Sequence, residues 1–193
     1  MTPRPVGKLV VHHRSPGVAI GTLDAFFLMR CFGHVGPDDI EATLKCSDVL
    51  NAYRPQGSVS IVVVDPTSAF PSEETRRAAL DATRRTRALT AGHVVIVAGD
   101  GFWASAIRGV LTTLAALAQT SFPRKVVRYE DEGIDAAIEM LGEPVIKYRA
   151  PLLAALSYLK GAGSQPPPSS KSNPSSQDAP PSTPRTSPKR QTR

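Results

Sequence analysis

The stretch from His93 to Gln119 constrains this chain more than any other. A β-branched strand, His93-Val94-Val95-Ile96-Val97, runs into Gly99-Asp100-Gly101, and a long apolar helix follows from Phe102 to Thr120. Strand, tight glycine turn and helix form the unit from which α/β sheets build their right-handed crossovers. The same turn leaves backbone amides open at a helix N-terminus, a place suited to an anion or a partner.

The residues before it supply further strands. Lys8 to Arg14 and Gly17 to Leu23 read as a hairpin around the turn residues Ser15-Pro16-Gly17. Phe26 to Phe32 is nearly continuously apolar, which suits a strand covered on both faces. Asp38 to Tyr53 reads as a helix opened by Pro37 and Asp38 and closed near Arg54-Pro55. Val59 to Val64 is the strongest strand and is expected at the centre. Pro71 to Glu74 opens a helix reaching Leu89, with Arg76, Arg77, Arg84, Arg85 and Arg87 facing outward. Acidic residues interleave with these arginines, so they read as a solvated face. Lys125 to Tyr129 reads as a closing strand, Glu132 to Leu141 as a short helix, and Val145 to Lys160 as another with Pro151 at its start. The order predicts an α/β domain: a single mixed sheet of about five to six strands, with helices mainly on one face.

Composition changes abruptly at Gly161. From there to Arg193 only Ala162 and Ala179 are hydrophobic, and five basic residues oppose one acidic one, a net of +4 out of +6 for the whole chain. Such a segment cannot bury enough apolar surface to offset its ordering entropy. The expected organisation is a flexible N-terminus (1–7), one α/β domain (8–142), an appended helical segment (143–160) and a disordered Pro/Ser-rich basic tail (161–193). The tail is expected to attract nucleic acid nonspecifically, if at all, because it lacks aromatics for base stacking. No apolar run is long enough to span a membrane and no signal-peptide pattern occurs, so a cytoplasmic protein is expected.

The segment Phe26-Phe27-Leu28-Met29-Arg30-Cys31-Phe32-Gly33, followed by Gly36-Pro37-Asp38-Asp39-Ile40, resembles the STAS domains of sporulation anti-sigma-factor antagonists. Members of that family show an apolar strand closing on glycine before a helix that opens in acidic residues. The resemblance implies a non-enzymatic regulatory module that binds a protein partner. It also points to the turn after the central strand, where the family carries an Asp-Ser-Ser-Gly-like phosphoacceptor. Here that turn reads Asp65-Pro66-Thr67-Ser68-Ala69-Phe70-Pro71, which leaves Thr67 and Ser68 as candidate phosphoacceptors without the glycine.

Three functions stay open on the sequence. The first is a STAS-like interaction module, docking an unknown protein through the sheet edge or the loops at 65–71 and 99–103, with the charge-poor 102–120 helix available for a homodimer. The second is a phosphate-ligand or other small-molecule binder using Gly99, Asp100, Gly101, Phe102, Trp103 and Arg108. The third is a nucleic-acid tether acting through the tail. No catalytic residues, cofactor or metal are assigned. His12 and His13 point to opposite faces of one strand, no nucleophile elbow is present, and Glu130, Asp131 and Glu132 read as helix-capping residues. Cys31 and Cys46 have no metal-ligand spacing and read as reduced and buried.

Overall fold

Six strands form one sheet in the computed structural model, which describes residues 7–54, 56–118 and 122–162, and the side chains of all these except 114–118 and 162. The strands are β1 (Val10–Arg14), β2 (Val18–Leu23), β3 (Phe26–Cys31), β4 (Ser58–Val64), β5 (Thr90–Val97) and β6 (Arg124–Val127). They lie side by side in chain order. β1, β2 and β3 pair antiparallel, and β3 to β6 pair parallel. The mixed sheet expected from the sequence is therefore the one observed. The expectations for residues 1–6 and for the tail beyond 162 fall outside the described residues.

Each parallel step is made by a helix: α1 (Pro37–Tyr53), α2 (Glu73–Thr86) and α3 (Phe102–Ala118). α4 (Glu130–Leu141) and α5 (Val145–Ala162) follow the last strand. Local signals explain these boundaries. Pro37 stands in the first turn of α1, where its missing N–H costs nothing, and the Asp39 carboxylate accepts the Gly36 N–H at 2.9 Å. Ser72 caps α2 by accepting the Thr75 N–H at 3.1 Å. Gly142 ends α4 in the left-handed region, at φ 70°.

The strand period of two sorts the sheet into two faces. Val59, Ile61 and Val63 of β4, Val94 and Ile96 of β5 and Phe26 and Leu28 of β3 pack with α4 and α5 in the larger core. Phe27, Met29 and Cys31 of β3 pack with α1, and Val95 and Val97 of β5 with α3, on the other face. The helices thus divide three and two between the faces, rather than lying mainly on one. The residues responsible are those of α5, which the sequence reading set apart. Tyr148, Leu152, Ala155, Leu156 and Leu159 are all buried in the main core. α5 begins before Pro151 and runs through it. The missing proline donor costs one helical hydrogen bond, and burial of this apolar seam offsets that loss.

One charged side chain lies inside that core. Arg30 of β3 is 2 % exposed and donates through Nε and Nη2 to both carboxylate oxygens of Asp65, at 2.8 and 2.7 Å. Its Nη1 donates to Glu130 at the start of α4 (2.9 Å) and to the Leu156 carbonyl of α5 (3.3 Å). A buried guanidinium is tolerated only when its donors are met this fully. Glu130, read from sequence as a helix cap, is therefore an ion-pair partner one hundred residues away in the chain.

Candidate functional site

α2 packs chiefly against its neighbours α1 and α3 rather than against the strands. Its inward residues are small or short, among them Thr75, Ala79, Ala82, Thr83 and Thr86. With Arg76 and Leu80 of the same helix they line a cavity of about 290 Å³ between α2 and the sheet. Its volume is near the lower end of small-molecule sites, about 300–1,000 Å³. Ile40, Thr43 and Leu44 of α1 form one wall, and Ile107, Val110 and Leu111 of α3 the opposite one.

The floor carries an ordered row of side chains. Strand register aligns Phe27, Ser60, His93 and Arg124 across β3, β4, β5 and β6, and all four line the cavity. The row passes from apolar at one end to cationic at the other. Burial, with the adjacent Arg124 guanidinium adding to it, pushes the His93 imidazole down to about 4, so the ring is neutral at physiological pH. Arg124 stacks on the Phe122 ring, with 4.9 Å from guanidinium carbon to ring centroid. Its Nε is buried without a hydrogen-bond partner among the described residues. Arg76 and Lys125 also reach the lining, whereas no aspartate or glutamate does among the described residues. Cys31 lines the same space, and burial raises its thiol to about 12, which makes it a poor nucleophile.

Of the residues singled out from the sequence, Ser68 lines this cavity, while Thr67 and the 99–103 turn lie at the C-terminal ends of the parallel strands and Arg108 lies in α3. Gly99 and Gly101 both adopt φ 92°, a conformation that favours glycine. Gly99 approaches Pro66 so closely that a Cβ on it would stand 3.2 Å from the proline ring. The structure therefore brings the 65–71 loop and the 99–103 turn together. Asp100 forms an ion pair with Arg128, so its charge is compensated within the protein. Phe102 is 89 % exposed, while Trp103 packs on the small α3 cluster. Arg108 donates to Ser105 on its own helix (3.3 Å) and makes no contribution to the turn. Ser68 is buried, with its hydroxyl donating to the Cys31 carbonyl at 2.7 Å, a poor position for a phosphoacceptor. Thr67 is exposed and donates to the Phe32 carbonyl at 2.9 Å.

His12 and His13 do diverge, as their adjacent positions require. His12 meets Thr22 at 2.9 Å, and His13 pairs with Asp39 at 2.8 Å. Both cysteines are free and buried. The arginines of α2 are exposed, with Arg77 and Arg84 paired to Glu73 and Asp81 of the same helix. Among the described residues no helix is long and apolar enough to cross a membrane.

The cavity was missed by sequence reasoning, yet a signal for it exists. Ser58 and Ser60 in β4 and His93 in β5 interrupt otherwise β-branched strands, all on one face. Polar residues at alternate positions of central strands mark a face that no apolar helix surface covers. Fold and site together define a mixed α/β protein with a ligand-sized cavity between sheet and helices. Comparison with family models, curated proteins and solved structures gives no match.

Proposed function

We propose that this protein is a non-enzymatic, STAS-like binding module whose working part is the cavity beneath α2, which takes an apolar small molecule. The carrying observation is the unfilled space of about 290 Å³ between α2 and the sheet, walled by Ile40, Leu44, Ile107 and Leu111. A concave, mostly apolar space of this size is where a small molecule is most readily bound. The STAS-like part of the reading is supported by the order of elements along the chain, with antiparallel entry strands before β-α alternation. The absence of chemistry is supported by the lining itself: a neutral imidazole, buried hydroxyls and a thiol raised to about 12.

The test uses N-phenylnaphthylamine, a neutral dye that fluoresces in apolar surroundings. The wild-type protein should bind it, and a dye concentration a hundred times its dissociation constant should stabilise the fold by about 2.7 kcal/mol. Ala79→Trp, which places an indole in the cavity, should abolish both effects. Equal fluorescence from wild type and Ala79→Trp would refute the reading.

A second reading is favoured by one observation. Phe102 stands 89 % exposed beside the joined 65–71 and 99–103 loops, and Phe70 of the first loop is also exposed. An aromatic side chain left bare on a turn is a suitable anchor for a protein partner. A photo-crosslinker at position 102 that captures no protein in cells would exclude this second surface.

A further inference from the structure

The cavity is apolar, but its charge is one-sided. From Phe27 at one end of the floor row to Arg124 at the other, the lining changes from ring and aliphatic carbon to an unanswered guanidinium. Arg124 Nε is fully enclosed and has no acceptor among the described residues. Nε itself leaves no surface for a ligand to touch, so a head group in the cavity would be met by the Nη nitrogens of the same guanidinium. His93, its cross-strand neighbour, brings no negative charge, and the lining holds Arg76 and Lys125 but no carboxylate among the described residues. Lys125 is already engaged with Glu132 at 3.6 Å, and Arg76 is exposed on α2. Arg124 is therefore the cation placed to act inside the cavity.

We infer that the ligand is a single-chain amphiphile with an anionic head, an aliphatic carboxylate, whose head pairs with Arg124 while its chain lies beneath α2 toward Phe27 and Leu44. This deepens the proposed function and rests on the same cavity. Phe122 covers one face of the guanidinium, so the head is met in the plane, where a carboxylate accepts two N–H bonds. The neutral imidazole of His93 adds a hydrogen-bonding group without opposing the charge. A cationic head would face the Arg124 guanidinium directly, and a neutral one would offer it a weaker acceptor.

The experiment measures displacement of N-phenylnaphthylamine by decanoate, decanol and decylamine at pH 7.5, with wild type and with Arg124→Met. In the wild type, decanoate should bind about tenfold or more tightly than decanol, as expected for a charge-assisted bond, and decylamine should bind weakest. Arg124→Met should remove the advantage of decanoate and leave decanol within about twofold. If decanol matches decanoate in the wild type, the anionic head is wrong although the cavity still binds apolar chains. If the dye binds but none of the three displaces it, the aliphatic carboxylate is wrong although the cavity stands; if the dye itself does not bind, the cavity reading falls as well. The wild-type comparison decides the matter even should Arg124→Met fail to fold.

Discussion

Replacing Arg30 with methionine should be among the most destabilising single changes this protein can undergo. Methionine preserves the apolar stem of the side chain but removes four donated hydrogen bonds, two to Asp65 and one each to Glu130 and the Leu156 carbonyl. The cost will not fall equally on the acceptors. The Glu130 side chain is 32 % exposed and can turn to water, whereas that of Asp65 is 11 % exposed and cannot. A buried charge stripped of its partner costs about 3–5 kcal/mol. That is about a fifth at the least of the roughly 5–15 kcal/mol by which a domain is stable. Removing both members together should be milder, because an apolar pair of similar volume avoids the desolvation of two ions. The assay is a cycle of denaturant titrations on wild type, Arg30→Met, Asp65→Leu and the double variant. The double variant should lie at least about 2 kcal/mol above the sum of the singles, as expected for residues in direct contact. A loss below about 1 kcal/mol for Arg30→Met, or additivity within about 0.5 kcal/mol, would refute the reasoning.

Two further predictions concern His93 and the glycines. His93 is held at about 4 in the fold against 6.5 in a free chain, so between these values the unfolded chain binds a proton that the folded one does not. Stability should therefore fall as pH drops from 6.5 toward 4, and the gap corresponds to about 3 kcal/mol. Denaturation midpoints between about pH 7.5 and pH 4.5 should show His93→Gln losing about 2–3 kcal/mol less than wild type, and parallel pH curves would refute the assignment. A Cβ at Gly17 would lie 1.8 Å from the His34 carbonyl oxygen, and its nearest neighbours are all backbone atoms of His34, which no side-chain rotation can move aside. Gly17→Ala should cost at least about 1–3 kcal/mol. Gly109, in the middle of α3, has nothing within 4 Å of such an atom among the described residues, so Gly109→Ala should instead stabilise by about 0.5–1 kcal/mol. Thermal melts of the two variants that shift in the same direction would contradict this account.

Elements were legible where side-chain period and turn chemistry coincide. The β-branched runs at 59–64 and 93–97 and the turn at Ser15 to Gly17 each appear where their residues place them. Contacts between distant elements were not legible. Arg30 sits in an apolar run and Asp65 in a loop, and nothing local ties them together across 35 residues. The 145–160 segment reads as an appendage because the STAS-like pattern covers only Lys8 to Leu141, although the seam of Tyr148, Leu152, Leu156 and Leu159 belongs to the core. The cavity was hidden for a related reason. A void is set by how far one element stands from another, and the small residues of α2 become informative only once α1 and α3 are seen to hold that helix off the sheet.

The reach of Arg30 along the chain has a consequence for the timing of biosynthesis. Its acceptors lie 35, 100 and 126 residues downstream, so a nascent chain that has exposed only its first strands owns a cation with nowhere dry to go. Native closure must wait for Leu156 to leave the ribosome, because contacts so distant are paid in loop entropy before they give anything back. A polypeptide cut after residue 142 would retain all six strands yet never seal this last latch.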